Sequence, residues 1–160
     1  MVNLPLKFIG YTITFQEVPN EVSLSINISN CPYKCRGCHS EYLWDYDGEF
    51  LLDNIENIIN GYKDLITCVC FMGGDQNKDE LLRAINICKS YNLKTCLYTG
   101  NDDINMFSDL INTLDYIKIG RYDESLGGLD SKITNQNFYK ITDNELINMN
   151  DWFKKKERRC

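Results

Sequence analysis

At 160 residues the chain can bury a core of its own but falls short of the roughly 250 residues of a complete eight-stranded α/β barrel, so a single domain over residues 1–160 is the simplest organisation. Its 23 acidic and 17 basic side chains give a formal net charge of -6, which argues against a nucleic-acid partner, because phosphate binding asks for a basic face. No apolar run approaches the ~18 residues of a membrane span, and the first residues lack the basic, apolar and small-residue order of a signal peptide, so the expectation is a soluble cytoplasmic protein with no membrane partner.

The first elements form a hairpin. Tyr11 to Glu17 alternates apolar and polar residues, Val18-Pro19-Asn20-Glu21 has turn chemistry, and Val22, Leu24, Ile26 and Ile28 alternate with Ser23, Ser25, Asn27 and Ser29 as a strand with one buried face. That strand runs directly into Cys31. Leu51, Leu52, Ile55, Ile58, Ile59 and Tyr62 then recur at helical spacing, with Gly61 near the stop. Leu81, Leu82, Ile85 and Cys88 repeat the pattern, as do Ile104, Phe107, Leu110, Ile111 and Leu114, which predicts three amphipathic helices. Between them lie Ile66 to Met72, Thr95 to Tyr98 and Tyr116 to Ile119, with the length and β-branched content of buried strands.

The alternation of strands and helices predicts parallel strands joined by right-handed crossovers. The expected fold is therefore α/β: a partial, open (βα) barrel of mostly parallel strands with an N-terminal β-hairpin. Leu126-Gly127-Gly128 reads as a turn and Phe138 to Ile141 as one last strand. Residues 151–160 end in Lys154, Lys155, Lys156, Arg158 and Arg159 against Glu157, and this basic tail is expected to be a solvated end.

In a parallel α/β sheet, ligands bind at the C-terminal ends of the strands, where loops and helix N-termini converge. Cys31, Cys35 and Cys38 sit in such a loop, close to the chain's one histidine, His39. Two metal readings follow. A structural zinc takes a closed set of four ligands, and His39 would have to serve as the fourth although adjacent side chains point in different directions. An iron-sulfur cluster accepts three thiolates and keeps one iron open to an exogenous ligand. Cys68, Cys70, Cys88 and Cys96 fall on strand faces or a helix stripe and read as small buried hydrophobes. Further along, Gly73-Gly74-Asp75 ends the strand from Ile66, and two glycines there permit backbone conformations and a close ligand approach that a Cβ would block.

Cys-x3-Cys-x2-Cys in one loop after a strand, followed by Gly73-Gly74-Asp75, resembles the radical S-adenosylmethionine enzymes, with Asp75 where that superfamily has a glutamate. The segments Ile28 to Ser40, Phe71 to Asp75, Tyr116 to Gly120 and Leu126 to Asp130, together with the short length, are most similar to the activating proteins of anaerobic ribonucleoside-triphosphate reductase. Many radical S-adenosylmethionine enzymes carry an aromatic residue before the third cysteine; Gly37 stands there in this chain, so adenine packing has to come from elsewhere.

The resemblance implies a [4Fe-4S] cluster on Cys31, Cys35 and Cys38, with S-adenosylmethionine chelating its open iron through its amino and carboxylate groups and the methionine amino group received by Gly73, Gly74 and Asp75. An electron from a low-potential donor such as flavodoxin or ferredoxin then cleaves the sulfonium, and the resulting 5′-deoxyadenosyl radical takes a hydrogen atom from a glycine of the partner reductase. Thr99 and Lys118 end predicted strands on the same edge and are candidates for the cofactor's ribose or carboxylate. Tyr33 and Trp44 are candidates for covering the adenine, and His39 for a supporting place behind the ligands. The alternatives are a radical enzyme acting on a small molecule, an activase of another glycyl-radical enzyme and, from a different class, a non-catalytic zinc or redox module.

Overall fold

The computed structural model of the chain describes residues 3–143 and 145–154. Strands β1 (Lys7–Thr14), β2 (Ser23–Ile28), β3 (Glu49–Phe50), β4 (Cys68–Met72), β5 (Lys94–Tyr98), β6 (Tyr116–Ile119), β7 (Asn137–Thr142) and β8 (Glu145–Asn148) form one sheet in the order β3-β1-β2-β4-β5-β6-β7-β8. β2, β4, β5 and β6 run parallel in the middle, and antiparallel pairs flank them on both sides.

Helices α1 (Leu51–Tyr62) and α2 (Lys78–Ser90) form two of the crossovers. Both press their apolar stripe on the same face of the sheet. Leu51, Ile55 and Ile59 of α1 and Leu81, Ala84 and Ile85 of α2 pack with Leu24, Ile26, Val69, Phe71, Leu97 and Ile117. A fully buried Leu, Ile or Phe side chain contributes about 1.5–3 kcal/mol, so this layer is the main source of stability. α2 is fixed at its start by the Asn77 side chain, which accepts from Glu80 N, while Glu80 Oε2 accepts from Leu6 N at 2.8 Å.

The opposite face of the strands is smaller and softer. Cys68, Cys70 and Cys96 lie there with Val18, Tyr116, Leu129 and Phe138, and Cys68, Cys70, Cys88 and Cys96 are all fully buried, as their strand and helix positions predict. Burial pushes the Cys88 thiol up to about 12 and those of Cys68 and Cys96 above the ordinary range.

Several boundaries differ from the sequence reading. The first strand begins at Lys7 rather than Tyr11 and contains an irregularity between Phe8 and Tyr11, where Gly10 has φ +74°. The third expected helix is a 3-10 turn, Ile104–Phe107, followed by isolated turns. Its apolar residues Phe107, Leu110 and Leu114 are buried as expected. Ser108, Asp109, Asn112 and Thr113 between them are residues whose short polar side chains compete for backbone groups, and Thr113 Oγ1 does donate to Leu110 O at 2.8 Å. The segment Phe138 to Ile141 lies inside β7, which is antiparallel to β6. In the expected tail, α3 (Asn150–Phe153) packs Phe153 against Phe138 at 5.1 Å between ring centroids. Lys154 pairs with Asp151, and Lys155, Lys156, Arg158, Arg159 and Cys160 lie outside the described residues. No helix among the described residues is long and apolar enough to cross a membrane.

Candidate functional site

A cleft opens at the C-terminal ends of the four parallel strands. Cys31, Cys35 and Cys38 line it from the loop after β2, Gly73 and Asp75 from the end of β4, Thr99 from the end of β5 and Lys118 from β6. The local sequence explains how the cysteine loop turns back over the sheet. Asn30, Lys34 and Gly37 all have positive φ (63°, 46° and 76°), which lets the chain reverse within a few residues. Two backbone bonds then anchor it, Asn30 N to Asp45 O at 3.0 Å and Cys31 N to Leu43 O at 2.9 Å. The three thiols are free and half-buried.

Gly37 is favoured by its φ of +76°, with the exposed Glu124 side chain close by. A Cβ there would lie 2.5 Å from Glu124 Oε2, so the loop joining β6 to β7 occupies the space off Gly37. Arg36 Nε meets Glu124 Oε1 at 3.1 Å in an exposed pair that contributes little on its own. His39 turns its ring to Tyr122, 5.9 Å away, and is not part of the cleft lining. Among the described residues no three His, Cys, Asp or Glu side chains are gathered as ligands of a single ion. The donor set that the cleft offers is three thiols from one loop, which fits an iron-sulfur cluster with one iron left open.

At the end of β4 the two glycines divide the work. Gly73 (φ +99°) lines the cleft, and its N–H donates to Tyr98 O at 2.9 Å. Gly74 (φ +115°) faces away: a Cβ there would sit 3.2 Å from Leu81 Cδ1, so it serves the packing of α2 and the turn rather than the cleft wall. Asp75 Oδ2 accepts a hydrogen bond from the Tyr33 hydroxyl, whereas Asp75 Oδ1 is buried without a partner. Burial, reinforced by that carboxylate, pushes the Tyr33 phenol up to about 12. Trp44 Nε1, in the same lining, is also buried and unpartnered. Buried polar atoms are ordinarily satisfied, and of the four buried side-chain atoms without a partner among the described residues, two, Asp75 Oδ1 and Trp44 Nε1, belong to residues of this cleft, the others being Glu17 Oε2 and Ser23 Oγ.

Lys118 forms part of the floor at 9% exposure. Its Nζ donates to Gly120 O at 3.1 Å and Thr99 O at 3.4 Å and stands 5.6 Å from the Tyr98 ring centroid. Burial pushes its amine down to about 8, with Cys35 the largest opposing influence. Thr99 is buried and its Oγ1 accepts from Asn101 N at 3.0 Å, so its side chain shapes the β5 turn at the cleft edge.

Sequence reasoning places Tyr33 over a ligand and misses its bond to Asp75; no periodic or motif signal encodes a contact between residues that far apart. It also misses Gln136, a buried amide in the lining whose Nε2 donates to Gly120 O at 3.3 Å. The polar run Thr134-Asn135-Gln136 before an apolar strand is the signal available for it.

A family model described as a 4Fe-4S single cluster domain matches residues 21–142, a span that includes the cysteine loop, Gly73 to Asp75, Thr99 and Lys118. No curated protein and no solved structure matches the chain.

Proposed function

The chain belongs to the family of 4Fe-4S single cluster domains, and from that premise we propose that it is a radical S-adenosylmethionine activase acting on anaerobic ribonucleoside-triphosphate reductase. Cys31, Cys35 and Cys38 hold the cluster in this reading. When bound, the cluster and S-adenosylmethionine supply one-electron cleavage of the sulfonium and removal of a hydrogen atom from a glycine of the partner, with flavodoxin or ferredoxin as the class of electron donor.

The chain's own residues bind and orient. Asp75 would accept from the cofactor's amino group beside the open wall at Gly73, and Lys118 would face its carboxylate. Thr99 shapes the edge against the ribose. Trp44 Nε1 offers a hydrogen bond to an acceptor on the ligand, and its indole supplies the flat surface that Gly37 does not. The observation on which the reading rests is that Asp75, with one unpartnered oxygen, and the buried Lys118 line the same cleft as three free thiols, which suits the amino and carboxylate groups of an α-amino acid. A partial, open barrel also suits a protein substrate, because one side stays open to an inserted loop.

The test uses anaerobically reconstituted protein, dithionite, S-adenosylmethionine and the partner reductase. The expected result is a glycyl-radical doublet in electron paramagnetic resonance, with deuterium from the partner's glycine Cα recovered in 5′-deoxyadenosine. A small molecule that stimulates cleavage and takes the label, with no radical on a competent partner, would establish the small-molecule alternative instead.

A further inference from the structure

Tyr33 lies between two of the cysteines, yet its hydroxyl leaves their loop and donates to Asp75 Oδ2 in the turn after β4, 3.5 Å from Thr99 Oγ1. The ring has little freedom to do otherwise. A Cβ added at Gly100 would lie 2.7 Å from Tyr33 Cγ and 2.8 Å from Cδ2, so the ring fills the space that a side chain at position 100 would take. The consequence falls on Asp75. A carboxylate is free to rotate about its Cβ–Cγ bond unless one oxygen is held; here the phenol holds Oδ2, Oδ1 is buried and unpartnered, and Asp75 is among the residues that line the cleft. An anionic oxygen in that state is costly until a donor reaches it, and charge-assisted bonds to a fixed acceptor are the strong ones.

We propose that Tyr33 is a positioning residue that ties the cysteine loop to Asp75 and orients its second carboxylate oxygen for an N–H of the bound cofactor's α-amino group, so that its hydroxyl sets the discrimination between ligands with and without that amine. The proposal rests on the cofactor reading above and goes beyond it in assigning the selectivity to a residue of the cysteine loop. A packing role alone would affect every adenosyl ligand alike.

The experiment measures dissociation constants by equilibrium dialysis on the reconstituted holoprotein. One ligand is S-adenosylmethionine, and the other is its analogue with the carboxylate kept and the α-amine removed. Iron content and cluster absorbance are read in parallel. Tyr33→Phe keeps the ring and the cluster and is expected to weaken S-adenosylmethionine about tenfold and the amine-free analogue less than about twofold, the size of effect a charge-linked hydrogen bond carries. Gly100→Ala keeps the Tyr33 hydroxyl in the protein but displaces the ring that carries it, and the same selective loss is expected. Equal weakening of both ligands, or an amine preference that Tyr33→Phe leaves intact, overturns the role of Tyr33 while the cofactor reading stands. A wild-type protein with no preference for the amine overturns both.

Discussion

At the N-terminal ends of the parallel strands a carboxylate, an amine and a phenol satisfy one another, whereas at the C-terminal ends the phenol Tyr33 takes one oxygen of Asp75, the amine of Lys118 turns to backbone carbonyls, and the second oxygen of Asp75 is left without a partner. Glu21, just before β2, accepts from Lys94 Nζ at 2.8 Å, from the Tyr116 hydroxyl at 3.0 Å and from the Thr67 hydroxyl, and it is buried. Burial alone would raise its carboxyl, but the bonds from Lys94, Thr67 and Tyr116 outweigh it and hold the group below its ordinary value. At the other end, Asp75 Oδ1 has no partner and Lys118 gives its hydrogen bonds to backbone carbonyls. Closed polar sets hold a fold together; open ones in a cleft are sites.

The largest test of that contrast separates thiols at the open edge from thiols between the two ends. Cys31→Ala, Cys35→Ala or Cys38→Ala is expected to abolish cluster absorbance after reconstitution, since each removes one of three ligands. Cys68→Ala and Cys88→Ala are expected to retain it, because burial keeps those thiols protonated and a protonated thiol is a poor ligand. The next test breaks the closed edge. Glu21→Ala leaves the Tyr116 and Thr67 hydroxyls without their acceptor and is expected to cost about 1–3 kcal/mol in denaturant unfolding, with cofactor affinity in the folded protein unchanged. Half-exposed Lys94 contributes little of that loss. Because the folded carboxyl titrates below its unfolded value near 4.5, the contribution of Glu21 is complete above that value and fades as pH falls through the folded one. The difference between wild type and variant narrows in acid.

The two edges also differ in how far the sequence reveals them. Cys31, Cys35, Cys38, Gly73 and Asp75 are legible because their spacing and their place after a strand carry the chemistry, and Thr99 and Lys118 because strand ends on one edge of a parallel sheet converge. The cluster around Glu21 carries no such mark. Its members are far apart in the chain and come together only through the register in which Cys68 aligns with Ser23 and Lys94 with Cys68. β3 and β8 are illegible for a different reason: a two-residue strand has no period, and β8 (ELIN) shows no alternation because all four residues are exposed. The helix expected from Ile104 has the right apolar spacing, but burial of Phe107, Leu110 and Leu114 is achieved by turns as well as by a helix.

The last expected effect lies at Lys118, where function and stability pull in opposite directions. Its folded amine titrates near 8 against 10.5 unfolded, so the unfolded chain binds the proton more tightly, and protonated Lys118 costs the fold stability at neutral pH. That cost is full below about 8 and fades as pH rises toward 10.5. Lys118→Met, close in length and without charge, is expected to stabilise the protein by about 1–3 kcal/mol at pH 7, as replacement of a buried charge often does, and the gain should shrink steadily between pH 8 and pH 10. In the proposed function the same substitution also removes the cation that would face the cofactor's carboxylate. In wild type, S-adenosylmethionine binding should weaken as pH passes above 8 and the ammonium is lost, whereas the variant should bind more weakly at pH 7 and show no such slope. Paired melting and dialysis titrations across this range decide the matter: a variant that loses stability at pH 7, or that keeps the wild-type slope in binding, would place Lys118 with the closed structural edge of the sheet and not with the open one.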